Sequence, residues 1–320
     1  MLGIVLLYAT GTPSWKSLPD EAARLRFTRY VVARYAAFHV AFIVTGEWHF
    51  MVREHDLFRA IGRDIKSADP HGRMTGIHPG PGPYFSSQDY AGEDWMSFGE
   101  YAQAYFAPET QEANDWHRHD LREFIIAARR HGKPVVDCEY AYYLRDQDFD
   151  GIIDKPNSHS RESFRRASWM MPMGGGYFVT GFGTTYFGGW REVGPFLVDD
   201  PRHAEAVADL GRLKAFFTSL DWWLLEPHDE LCRASGGFAY CLADSGVVHV
   251  VYCAGSRGAE LTIGAGEAKG PASESYVASR FDPRTGESTQ LPSPSGGSVW
   301  LEAPDARDWV FLVRRKGAGA

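Results

Sequence analysis

The sequence contains no run dense in lysine and arginine; 33 basic residues stand against 41 acidic ones, for a formal net charge of −8. Such a chain offers no stripe for neutralising phosphates, and a nucleic-acid partner is not expected. Cysteine is scarce, with Cys138, Cys232, Cys241 and Cys253 as the full set and no CxxC among them. That spacing suits neither a zinc site nor a disulfide framework, although a Cys232–Cys241 or Cys241–Cys253 bridge stays open. No apolar run approaches the roughly 18 residues of a membrane span, so no membrane partner is expected either. The opening MLGIVLLYA lacks a basic lead and a small-residue cleavage site and reads as a strand. No GxGxxG follows that strand and no Walker loop occurs, which argues against nucleotide chemistry.

Aromatic residues, by contrast, are plentiful: 10 Trp, 15 Tyr and 20 Phe. They serve either as core or as stacking platforms for sugar rings. With 320 residues, 44% of them hydrophobic, the chain can bury a large core and more than one domain.

To about residue 220 the text alternates short apolar runs with amphipathic stretches. Strands are expected at 3–9, 41–47, 74–79, 95–103, 134–140 and 175–182. Helices are expected at 19–38, 55–69, 115–132, 160–171 and 200–220. In the first helix Ala23, Phe27, Tyr30, Val31, Arg34 and Tyr35 recur at helical steps, behind Pro19 and the acidic pair Asp20–Glu21. The SHS of 158–160 reads as the cap of a later one. Alternation at roughly 30 residues per unit is the pattern of parallel βαβ units, and an α/β (β/α)8 barrel is the architecture expected for residues 1–227, with six strands visible. From 228 to 320 the text changes to short alternating runs separated by turn residues, including GFAYCLA, VVHVVYCA and DWVFLVRR, which predicts an antiparallel β-sandwich.

Two carboxylates stand out. Glu47 ends the strand AFIVTGE and Glu139 ends PVVDCEY, in the position where barrel strands deliver catalytic groups. Two opposed carboxylates are what glycoside hydrolysis needs: one protonates the leaving oxygen and the other attacks the anomeric carbon. Taken singly, each is equally a helix cap or an ion-pair partner. Trp48, Tyr140 and His78 follow or end the same strands and are candidate sugar contacts. Tyr8 in the first strand and Gln103 at the end of the fourth join them, as do Tyr186 and Trp190 in the glycine-rich stretch 174–190. No metal and no cofactor are expected.

YVVARYAAFHVAFIVTGEW, DPHGRMTGIHP, GKPVVDCEYAYY and MGGGYFVTGFGTTYFGGW together resemble the apiosidase-like glycoside hydrolases of the (β/α)8 class. SYVASRFDPRTGES and APDARDWVFLVRR resemble the sandwich domain that commonly follows them, often labelled collagen-binding. The resemblance implies a retaining O-glycosidase acting on a carbohydrate substrate, with the acid/base after the fourth barrel strand and the nucleophile after the seventh. The matching positions are Glu47 and Glu139. Counting back makes 3–9 the third strand, so the first two βα units, roughly 60–100 residues, are expected to be missing. Relatives with this pair of domains are often exported. In the apiosidases an Asp is expected at the first catalytic position, where this chain has Glu47. The alternative is a glycan-binding module derived from a truncated glycosidase.

Overall fold

The computed structural model describes residues 2–7, 17–80, 87–103, 121–143, 160–182, 201–244, 246–263 and 276–317. Contacts within the chain group residues 1–159 with 176–187, and residues 160–175 with 188–320. This grouping by contact and the division at residue 227, drawn from sequence texture, are different partitions of the chain.

The first unit alternates strands and helices: β1 (Leu2–Val5), α1 (Glu21–Tyr35), β2 (Val40–Ile43), α2 (His55–Ala68), β3 (Thr75–Gly76), β4 (Gly99–Gln103), α3 (Leu121–Arg129), β5 (Val135–Tyr143) and β6 (Tyr177–Phe182). Strands β1, β2 and β3 pair in parallel, and so do β4, β5 and β6. The Ser97 N–H donates to the Thr75 carbonyl at 2.8 Å and links the two sets. Helix α1 starts where the sequence predicts, because the Asp20 side chain accepts from the Ala23 N–H at 2.7 Å. Its buried stripe differs from the expected one. Ala23 and Val31 are buried together with Thr28 and Val32, while Tyr30 is 59% exposed.

The side chains of β2 divide cleanly. Phe42 and Val44 join Val32, Phe58, Ile61 and Ile65 of the flanking helices in one core. Ala41 and Ile43 face the other way, onto Phe98 and Val136. Strands of a parallel sheet covered on both sides are therefore apolar throughout rather than alternating, as the run VAFIV is.

The second unit joins α4 (Arg161–Met173) and α5 (Ala204–Thr218) to nine strands: β7 (Glu226–Pro227), β8 (Cys232–Ala234), β9 (Phe238–Asp244), β10 (Val248–Ala254), β11 (Gly258–Ile263), β12 (Tyr276–Phe281), β13 (Ser288–Leu291), β14 (Gly297–Glu302) and β15 (Trp309–Arg315). One sheet runs β13-β12-β15-β10-β9-β7 and the other β14-β11-β8, with every pairing antiparallel. Val251, Cys253 and Phe311 of the larger sheet pack with Leu261, Ile263 and Leu301 of the smaller one. The opposite face of β10 carries Tyr252, stacked on Trp169 of α4 at 5.8 Å. Burial on both faces explains why VVHVVYCA is apolar at nearly every position. Ser160 caps α4 as expected, accepting from the Ser163 N–H at 3.1 Å. All four cysteines stand outside any disulfide in the structure.

Candidate active site

Two layers of inward-facing side chains can be followed up the first unit. The lower is apolar and holds Ala41, Ile43, Phe98 and Val136. Two residues further along their strands come Thr45, Glu100 and Cys138. His78, two residues beyond Gly76, joins them. Period-two alternation makes this next layer polar, yet it is buried: Thr45 is 0%, Glu100 3% and His78 8% exposed.

The backbone ladder continues past the formal strand ends. The Val44 N–H donates to the Gly76 carbonyl at 2.9 Å, the His78 N–H to the Thr45 carbonyl at 3.0 Å and the Gly46 N–H to the Leu7 carbonyl at 2.8 Å. These bonds carry β2 rigidly to Glu47, which turns the chain with φ 49° and ψ 47°. Among the described residues it is the one non-glycine residue with positive φ. A side chain in that left-handed region costs about 1 kcal/mol or more, and here it is half-buried.

The turn at Glu47 sends Trp48 inward rather than onto an open rim. Its ring is 4% exposed and lies 5.2 Å from the His55 ring and 5.5 Å from the Tyr90 ring. Tyr90 Oη and His55 Nδ1 are 2.6 Å apart, and burial pushes the Tyr90 phenol up. Trp48 is thus wall beneath Glu47. His49, half-buried beside it, accepts the Gly80 N–H on Nδ1 at 2.8 Å. Burial first, and then the neighbouring His78, lower its pKa to about 4, so the ring is neutral at pH 7. A Cβ at Gly80 would lie 1.5 Å from His49 Cε1, which reserves this position for glycine.

His78 Nδ1 lies 2.8 Å from Cys138 Sγ and 3.5 Å from Glu100 Oε2. One residue of this trio comes from each of three successive barrel strands or their extensions. Gly76 makes room for it, since a Cβ there would meet Glu100 Oε1 at 2.3 Å. The Cys138 thiol is pushed well above its ordinary value, by burial first. Sequence reasoning found His78 but missed Glu100 and Cys138, because residues so far apart in sequence meet only once the strands align.

Strand β5 carries a bulge at this point. Tyr101 pairs with Asp137, but the next residue, Ala102, pairs with Glu139. Cys138 is the extra residue, so position 139 falls level with Ala102. Bulges of this kind re-aim strands beside active sites. Glu139, Tyr140 and Gln103 are described as strand positions alone, with Gln103 level with Tyr140. Tyr8, Tyr186 and Trp190 lie outside the described residues.

Residues 1–224 match the family described as apiosidase-like, catalytic domain. No curated protein matches the chain. Among solved structures, a glycoside hydrolase family 5 protein from Bacteroides vulgatus ATCC 8482 superposes with a TM-score of 0.74 at 15% identity, over 98% of this chain and 70% of that one. A structure titled simply glycoside hydrolase gives 0.75 at 14% identity, over 99% and 74%. A further Bacteroides vulgatus protein of that description gives 0.65 at 15%, over 97% of this chain and 59% of the other. At such identities the likeness is one of fold: an α/β barrel-type unit followed by antiparallel sheets.

Proposed function

We propose, from the premise that this chain belongs to the apiosidase-like catalytic domain family, that it is a retaining O-glycosidase with Glu139 as nucleophile and Glu47 as acid/base. The observation that carries the reading is the left-handed backbone of Glu47 at the end of β2. The turn also seats Trp48 in the core, but a strained carboxylate held where a barrel presents its reactive groups supports a functional role. The bulge that sets position 139 level with Ala102 is a second device of the same sort.

In the first step the Glu139 carboxylate attacks the anomeric carbon as the C–O bond to the leaving group breaks. Glu47 passes its proton to the departing oxygen. In the second, Glu47 takes a proton from water, the oxygen attacks the anomeric carbon and Glu139 is released. The neutral, partly buried His49 supplies an uncharged hydrogen-bonding group beside Glu47, suited to a sugar hydroxyl.

The test is hydrolysis of aryl apiosides, arabinofuranosides, xylosides and glucosides by the purified chain. E139Q is expected to abolish release from every substrate that the unaltered protein cleaves. E47Q is expected to slow chiefly those with poor leaving groups. Equal residual activity in the two variants would overturn the assignment. Sugar binding by a well-folded chain without any turnover would put the glycan-binding module in its place.

A further inference from the structure

The trio His78, Glu100 and Cys138 gathers three side chains of metal-ligating chemistry around one imidazole nitrogen. The thiol sulfur and a carboxylate oxygen both approach the same imidazole nitrogen, Nδ1, at 2.8 and 3.5 Å. One ring nitrogen carries either a proton or a lone pair, so it donates or accepts but does not do both at once. A nucleophilic relay is excluded for the same reason, because a thiol–imidazole–carboxylate triad places its outer members on opposite ring nitrogens. What three such groups share is a single point of convergence. One ligand atom from each lies within 4.8 Å of the others.

We infer that this cluster is a binding site for a divalent transition-metal ion, with Zn2+ as the best match. A thiol, an imidazole and one carboxylate form a borderline-soft set that suits zinc and disfavours Mg2+ or Ca2+. Zinc bonds sulfur at about 2.3 Å and nitrogen or oxygen at about 2.0–2.2 Å, which sets ligand atoms roughly 3–4 Å apart. Of the observed pairs, 3.5 Å falls within that span and 2.8 Å lies just below it, so an ion would draw the Cys138 sulfur slightly back from the ring. Glu100 and Cys138 rise from the paired strands β4 and β5, and His78 from the extension of β3, which the Ser97–Thr75 hydrogen bond links to the start of β4. Three protein ligands leave a fourth position, as zinc sites open to water do. Binding replaces the thiol proton with the metal and releases that proton to solvent, so affinity falls as pH falls. The ion would tie three strands together one layer beneath Glu47. This departs from the expectation, drawn from the sequence, that no metal is involved.

The test is titration of the chelator-treated full chain with Co2+, then with Zn2+, read by absorbance rather than turnover, so that it succeeds or fails independently of the glycosidase reading. One equivalent of Co2+ with a thiolate-to-metal charge-transfer band, displaced by one equivalent of Zn2+, is the expected result. C138S should lose the band entirely and H78A should lose stoichiometric uptake. Should either variant fail to fold by circular dichroism, alkylation mapping of the unaltered chain identifies the cysteine that zinc shields. Absence of the band, its persistence in folded C138S, or shielding at a cysteine other than Cys138 would each overturn the site.

Discussion

Glu47 spends conformational energy in the turn that also seats Trp48. Asparagine tolerates the left-handed region better than glutamate does, so E47N should raise stability by about 0.5–1 kcal/mol in urea unfolding while turnover falls. An E47N protein no more stable than the parent would mean that contacts of the Glu47 side chain offset the strain. Glu47 stood out in the sequence as a carboxylate after an apolar run. Its conformation was not legible there, because Thr-Gly-Glu-Trp reads equally as a strand continuing outward. The same turn explains Trp48, which sequence pattern offered as a sugar contact and which the fold encloses between His55 and Tyr90.

At the scale of elements, period and capping carried most of the reading. Helix α2 falls inside the span that its hydrophobic spacing predicts, strand β2 begins one residue ahead of its own, and Asp20 and Ser160 cap the helices they precede. Register was beyond reach. In PVVDCEYAYY nothing marks Cys138 as an added residue, since a bulge shows itself only against its partner strand. The tight fit of β3 against β4 is likewise a relation between elements. G76A should therefore cost about 1–3 kcal/mol through overpacking against Glu100 and Phe98. G92A, whose Cβ meets nothing within 4 Å, should leave the unfolding midpoint unchanged and serves as the control. Equal midpoints for the two variants would show that the interior at β3 is looser than its distances imply.

For the whole molecule, acid should be more damaging than the modest net charge suggests. His249, 0% exposed in β10, has its pKa lowered from 6.5 to about 4, by burial first and then by His228, with Asp244 opposing. The unfolded chain binds that proton more readily, so stability is full above about pH 6.5 and is lost as pH falls toward 4. At about 1.4 kcal/mol per unit the ceiling is about 3 kcal/mol. His49 shifts in the same direction. H249V should flatten the loss between pH 7 and 4.5 in chemical unfolding; an unchanged slope would assign the acid sensitivity elsewhere. That antiparallel sheets follow an α/β barrel-type region was legible from the change of texture along the chain. The return of α4 and α5 to the company of the sandwich was not, because alternation records the order of elements along the chain rather than their packing in space.

That return has a consequence for inheritance. Arg165 of α4 holds the fully buried Asp308 through two bonds of 2.8 Å, and Trp169 covers Tyr252 while packing on Phe216 and Phe217 of α5. A gene segment encoding residues 228–320, moved alone into another protein, would carry an acid without its base and a tyrosine without its lid. The sandwich is therefore no portable cassette. It descends together with helices encoded upstream of it, and recombination at a single junction would separate what folding needs joined.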